Sequence, residues 1–295
     1  MRSLKPLLIR GMWGLGDNIY SRPFVRATVA KYELYLETPW PELYEDLDIK
    51  FVRGTRRLRT QQKNIARQSS DLWSHSLPRR QIQIGYPSVE WVGIVASLEH
   101  RWERLHIRFD PALFDLPDMG SSPIKSDRPI AVVRPVTVRA EWRNEARNPQ
   151  PEYVNMLAAE LMTTHTVVAV ADLAPGQEWL VGELPPAQHY FVSGELAVRE
   201  LLALVRDADI VVGGVGWIVP AGLALKVRTF IVLGGHGGHN APAKIADPRL
   251  NLSRIGFAVP EKFCRCTNML HNCDKRIADP VGQFLRWSRN ARAAA

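Results

Sequence analysis

The chain has 295 residues, 46% hydrophobic and 23% charged, proportions that exclude a disordered or fibrous protein. Its length suits two domains, and three cysteines are too few for a disulfide framework, which points to a reducing compartment. The start, MRSLKPLLIRG, lacks the apolar core and cleavage site of a secretory signal. The longest uncharged run, 210–225, is broken by Gly213, Gly214, Gly216, Pro220 and Gly222 and is shorter than the ~20 apolar residues a bilayer span needs. A soluble, cytoplasmic protein is expected, able to sit peripherally at the inner membrane surface.

The net charge of +8 is local. Residues 50–80 carry Lys50, Arg53, Arg56, Arg57, Arg59, Lys63, Arg67, Arg79 and Arg80 against Asp71 alone, and the remaining 29 basic and 29 acidic residues cancel. A neutral body with one cationic segment suits an anionic partner such as a phosphorylated glycan, a nucleic acid or a membrane surface. The segment carries too few aromatics to single out DNA. A solvated basic loop is the plainer reading.

In chain order, Pro6–Arg10 predicts a strand, followed by a glycine-rich turn at 11–17 and a helix near 18–31. Tyr32–Glu37 alternates with the strand period, and Asp48–Val52 and His106–Phe109 are further short strand candidates. Four prolines and a Gly between Pro111 and Pro129 predict an interdomain linker. Beyond it come strands at 130–133, 166–170, 190–192, 209–212 and 229–233, with helices at 151–163, 195–206, 218–225 and 280–292. Uninterrupted Val/Ile runs separated by helices imply parallel strands covered on both faces. The expected architecture is α/β: two Rossmann-like domains with parallel sheets facing a central cleft. Residues 1–125 form the first domain and 126–278 the second, and 279–295 form a terminal helix able to cross back to the first.

Leu7-Leu8-Ile9-Arg10, followed by Leu15-Gly16-Asp17 and a helix holding Pro23, resembles the N-terminal signature of the heptosyltransferase-like glycosyltransferases. The stretch from Asn148 to Leu161, the pair Arg199–Leu204 with Ala208–Gly213, and the Cys-containing turn His271–Ile277 are similar to later segments of that family, in order. The resemblance implies a GT-B fold with the nucleotide-sugar donor held mainly by the second domain. It also implies an inverting, metal-independent transfer without a cofactor, in which a carboxylate of the first-domain loop is the base; by position this is Asp17. A base at that place would take the proton of the attacking acceptor hydroxyl. Taken alone, Asp17 is equally an N-cap of the following helix.

A departing nucleoside diphosphate needs cations. The family places one, usually Lys, after strand 130–133, where Arg147 and then Arg143 are the candidates. The family's Asp-Ser-Gly and His after strand 209–212 are replaced here by a run in which Val215 and Pro220 take the acidic and imidazole places. Gly214, Gly216 and Trp217 remain as donor contacts, and Gly235, His236, His239 and Asn240 in the next glycine-rich loop are expected to help. Arg10, Arg56, Arg57, Arg59 and Lys63 are the candidate acceptor contacts. Cys264, Cys266, His271 and Cys273 could hold zinc, but their C-x-C-x4-H-x-C spacing is atypical and the expectation is no metal. The acceptor is expected to be a hydroxyl on an anionic surface glycan such as lipopolysaccharide core. The alternatives are a DNA-base glycosyltransferase acting on hydroxymethylated bases and a degenerate, non-catalytic nucleotide- or glycan-binding protein.

Overall fold

A computed structural model describes residues 4–11, 13–54, 58–84 and 92–293. The chain divides into two compact units, Met1–Asp118 and Met119–Ala295.

The first unit contains β1 (Lys5–Gly11), α1 (Leu15–Val29), β2 (Tyr32–Thr38), β3 (Ile49–Arg53), α2 (Arg59–Arg67), β4 (Gln81–Ile84) and α3 (Ile94–Trp102). Its sheet is parallel throughout, in the order β3-β2-β1-β4. Leu7, Leu8 and Ile9 are sealed from water because β1 is central and covered on both faces. Gly11 has φ +120°, and a Cβ there would fall 1.5 Å from the Ile84 carbonyl oxygen, so only glycine lets β1 lie beside β4. Helix α1 runs through Pro23 and buries Arg22. The Arg22 guanidinium donates to both oxygens of Asp46, at 2.9 and 2.6 Å, and to the carbonyls of Leu43 and Asp115. Its charge is thereby neutralised and its donors are satisfied, the condition for burying an arginine. Phe24 stacks on Trp102 at 5.1 Å, and that indole donates to Thr28 Oγ1 at 3.1 Å.

The strand expected at 106–109 is not one. His106 adopts a left-handed conformation (φ 53°) that ends the turn after α3, and Ile107 and Phe109 are buried as irregular backbone. The ladder position beside β1 belongs to β4, a QIQI segment whose two isoleucines gave little strand signal.

The second unit contains β5 (Ile130–Arg134), β6 (Thr137–Arg139), α4 (Pro151–Met162), β7 (Thr166–Val170), β8 (Glu178–Leu180), β9 (His189–Phe191), α5 (Val198–Arg206) and β10 (Ile210–Gly213). It continues with α6 (Ile218–Ala224), β11 (Arg228–Val232), α7 (Gly237–Asn240), α8 (Pro242–Ile245), β12 (Ile255–Ala258) and α9 (Pro280–Ala293). Six strands form one parallel sheet in the order β12-β11-β10-β5-β7-β9, while β6 and β8 pair separately as an antiparallel ribbon. Counted in chain order, the six-stranded arrangement is the doubly wound one, with its reversal between β5 and β10. Val133, Val212 and Phe230 pack with Val154, Leu157 and Leu161 of α4 and Phe284 of α9 in a continuous core. The Phe230 ring meets Phe284 at 5.3 Å and Trp287 at 5.1 Å, so α9 is bound to this sheet through aromatic contacts. Among the described residues no helix is long and apolar enough to cross a membrane.

At the N-terminal ends of β7, β10 and β11, His165 and Arg228 are buried around Asp209. The His165 ring donates to Asp209 Oδ2 at 2.8 Å, and Arg228 pairs with the same carboxylate and donates to Ser288 Oγ at 3.1 Å. The His165 hydrogen bond, ahead of the Arg228 charge, holds the Asp209 carboxyl below its ordinary value of 3.8. A carboxyl depressed on folding adds stability above its unfolded pKa and loses it as the pH falls through the folded one. Asp209→Asn should therefore cost about 2–3 kcal/mol at pH 7, at the low end for a broken buried pair because Asp209 is one-third exposed. The gap from wild type, read by urea unfolding across pH 2–7, should close below pH ~4; a gap that stays constant into acid would refute the assignment.

Candidate functional site

Strand order sets where a site can form. Because β7 and β10 flank β5 on opposite sides, the loops leaving β5 and β10 part at their C-terminal ends and open a crevice. Arg134, the last residue of β5, stands there, half-buried. Its guanidinium lies against Gly216: a Cβ on that glycine would sit 3.2 Å from Arg134 Nη1. Its hydrogen bond to Thr137 Oγ1 is long, 3.5 Å. The neighbouring carboxylate, Glu178, is 4% exposed and is taken by the Thr137 hydroxyl at 2.8 Å and by Arg139 at 2.8 Å. Burial pushes the Arg134 guanidinium down to about 10; Glu178 opposes the shift, and Arg139 and Arg147 add to it. Arg134 thus stays cationic at neutral pH, beside a glycine loop and within reach of the charges of Arg139, Arg147 and Glu178. The arrangement can bind an anion.

The sequence reading passed over Arg134 because a basic residue ending a strand carries no motif. Only the order of the strands puts it at the crevice. Val215 and Pro220, which stand at the acidic and imidazole places of the resemblance, are buried and apolar. Gly214 packs against Pro149, and Trp217 is half-buried at the start of α6. Arg147 lies 5.6 Å from the Trp142 ring, while the exposed Arg143 pairs with Glu145 at 2.5 Å.

The loop after β11 is closed on itself. His236 has a left-handed backbone (φ 58°) and a ring 2% exposed. Its Nε2 donates to the Thr267 carbonyl at 2.9 Å, and its Nδ1 accepts from the Asn240 and Asn144 amides at 2.9 and 3.3 Å. Burial lowers the imidazole pKa, which favours this neutral form. The His239 ring stands edge-on to it at 4.8 Å. His236 and Asn240 are thus engaged in holding the loop, with both ring nitrogens of the histidine taken. The glycines have the same purpose: a Cβ on Gly235 would fall 2.2 Å from Cys273 Sγ, and one on Gly238 would fall 2.5 Å from Thr267 Cγ2.

In the first unit, the loop after β1 again lies where the strand order reverses, between β1 and β4. Asp17 is the third residue of α1, half-buried, and its Oδ2 accepts the Gly14 amide at 3.3 Å. Gly14, not Asp17, is therefore the N-cap residue, and Asp17 takes the N-cap amide from the third helical position, a contact that orients its carboxylate. Trp40 Nε1 and Gln61 Nε2 both donate to the Trp13 carbonyl, at 2.7 and 3.0 Å, and pin the same loop. Arg10 pairs with the buried Glu37 at 2.9 Å. Arg59 and Lys63 stand one turn apart on α2, whereas Arg56 and Arg57 lie outside the described residues.

Cys264, Cys266, His271 and Cys273 converge. Their donor atoms all lie within 4.8 Å of one another: Cys264 Sγ to His271 Nδ1 is 3.5 Å, His271 Nδ1 to Cys273 Sγ 3.3 Å, and Cys266 Sγ to Cys273 Sγ 3.6 Å. A tetrahedron of sulfur and nitrogen ligands around one ion has edges of about 3.5–3.8 Å. Three thiols and an imidazole at such separations fit a single tetrahedral metal ion.

No protein-family model and no curated protein matches this chain. Solved structures do match it in fold. The iron-containing heptosyltransferase TibC in complex with ADP-D-β-D-heptose has a TM-score of 0.67 at 16% identity, over 98% of this chain and 78% of that one. Another structure, dodecameric TibC from enterotoxigenic E. coli, has a TM-score of 0.54 at 15% identity, and the match spans 79% of this chain and 58% of that one. E. coli ADP-heptose lipopolysaccharide heptosyltransferase II has a TM-score of 0.58 at 13% identity, over 99% of this chain and 100% of that one. The expectation of a protein without cofactor or metal is corrected here. Its four Cys/His donor atoms are already gathered at metal-binding separations, which C-x-C-x4-H-x-C spacing alone had argued against, and TibC is iron-containing. In fold, this chain is heptosyltransferase-like, a divergent α/β protein of the GT-B type.

Proposed function

We propose that this protein is a glycosyltransferase that moves a sugar from a nucleoside diphosphate donor to a hydroxyl acceptor. The observation that carries the reading is the half-buried Arg134 guanidinium, which stands against Gly216 at the strand-order reversal of the second unit with the charges of Arg139 and Arg147 near it. The donor's diphosphate would lie between Arg134 and the loop Gly213–Trp217, with Arg147 as a second cation. Charge that develops on the departing diphosphate is stabilised by guanidiniums already in place. ADP-heptose, the donor named for TibC and for heptosyltransferase II, is the first candidate.

In this reading the acceptor oxygen attacks the anomeric carbon as the sugar–phosphate bond breaks, which inverts the configuration. Asp17 takes the hydroxyl proton, and its cap contact with Gly14 keeps the carboxylate aimed. Arg10, Arg59 and Lys63 are assigned to the acceptor side, where a phosphorylated surface glycan would supply the matching charge. The DNA-base alternative has no structural observation behind it and is not carried forward. A metal ion on Cys264, Cys266, His271 and Cys273 would supply a crosslink that ties residues 264–273 together, and a donor set of three thiolates and one imidazole suits iron or zinc.

Titration calorimetry with ADP and ADP-heptose tests the donor site. Arg134→Met should weaken ADP by about 10- to 100-fold, the worth of one charge-assisted hydrogen bond, and Arg134→Lys should recover part of it. An unchanged Kd in Arg134→Met would remove this residue from the site. Asp17→Asn should lower kcat by at least about 100-fold while the donor Kd stays within about twofold. Full turnover in that variant would leave Asp17 only its contact with the N-cap amide. A wild-type protein that binds ADP-heptose without any transfer would favour the non-catalytic reading.

A further inference from the structure

We propose that the metal-binding segment 264–273 is the support on which the donor site is shaped, so that metal occupancy and nucleotide affinity are coupled. This inference rests on the donor reading above only for the identity of the nucleotide. The physical contacts stand independently of it. The amide of Gly237 donates to the carbonyl of the ligand Cys264 at 2.8 Å, and the amide of Gly238 donates to that of Cys266 at 3.0 Å. The His236 ring reaches the carbonyl of Thr267, the residue after Cys266. On the other side of the segment, the Ala146 amide donates to the Met269 carbonyl at 2.8 Å, Trp142 Nε1 reaches Met269 Sδ at 3.2 Å, and Lys275 Nζ donates to the Glu145 carbonyl at 2.8 Å. The two supported loops are themselves joined, because the Gly235 amide donates to the Ala146 carbonyl at 2.7 Å.

Residue 146 precedes Arg147, the second proposed diphosphate cation. The segment that holds the metal ligands therefore braces the backbone from which Arg147 projects. Residues 264–273 contain neither a helix nor a strand, so they have no ladder of their own to keep this shape. Four ligand bonds to one ion would keep it. The four glycines Gly234, Gly235, Gly237 and Gly238 follow from the same contacts. A Cβ on them would fall 2.1 Å from the Asn148 carbonyl oxygen, 2.2 Å from Cys273 Sγ, 2.7 Å from Phe263 Cε1 and 2.5 Å from Thr267 Cγ2, respectively. Glycine is needed in that loop because the metal-binding segment and residues 146–148 press against its backbone.

The experiment uses the full chain as purified, with bound metal measured by mass spectrometry, then stripped with a chelator and reloaded with Fe²⁺ or Zn²⁺. Hydrogen exchange should accelerate at 142–148 and 234–240 on stripping and recover on reloading, while peptides in β1 and β2 do not change. Unchanged protection at both loops after complete metal removal would overturn the proposal. ADP should bind at least about tenfold more weakly to the stripped protein, and by linkage ADP should slow metal transfer to a chromophoric chelator. Equal ADP affinity with and without metal would also overturn it. If stripping unfolds the whole second unit, Gly235→Ala decides instead. This variant keeps all four ligands, yet it should release metal at least about tenfold faster than wild type, and wild-type retention would count against the coupling. A metal-loaded protein that binds no ADP would sink the donor reading, while the exchange data would still decide whether the metal shapes the two loops.

Discussion

Because β7 pairs on one side of β5 and β10 on the other, the loops that leave these strands cannot close over each other. Everything assigned to the second unit's site depends on that divergence. It leaves room at the ends of β5 and β10, it sets Arg134 facing Gly216, and it keeps the carboxylate of Glu178 engaged with Arg139 and Thr137 to one side. Had the order been a simple progression, the same arginine would meet a neighbouring loop and its charge would call for a structural partner. The first unit repeats the geometry on a smaller scale, with the turn carrying Asp17 leaving β1 where the order reverses toward β4.

Glycine-rich turns follow β10 and β11, and the two owe their glycines to different neighbours. Gly213 is small because its ladder partner Arg134 and the Ile218 side chain lie close, and Gly216 because the Arg134 guanidinium lies against it at the crevice. Gly235, Gly237 and Gly238 are small because the chain near the cysteines lies against them. A pattern of glycines after a strand therefore says that something comes close, and the close neighbour can be ligand or protein. His236 makes the same point, since its ring is the hub of a network with Asn144, Asn240 and Thr267.

Much of the fold was legible in the residues. β5, β7, β10 and β11 each hold a run of three or four Val, Ile, Ala or Phe residues, because the middle of a strand covered on both faces has no polar side to reveal. The edge strand β12 and the short β4 were not legible: IGFA and QIQI are too short and too mixed to stand out from coil. The candidate site was legible only in part. Asp17 and Arg147 sit in recognisable stretches, whereas Arg134 gains its place from strand order alone, a property of pairing that no local pattern records. The cysteines misled by their spacing. Residues 267–270 fold back so that His271 returns to Cys264, and sequence distance then says little about distance in space.

The two neighbours of β5 also differ in when they can arrive. β7 follows within one helix, but β10 pairs with β5 from nearly eighty residues further along the chain. Loop closure of that length must be completed before the pairing contributes anything, so the central ladder is an intrinsically slow step. During synthesis, β5 and β7 would wait with one apolar edge uncovered until β10 emerged. An uncovered parallel edge of this kind is open to pairing with another chain until its own partner strand is in place.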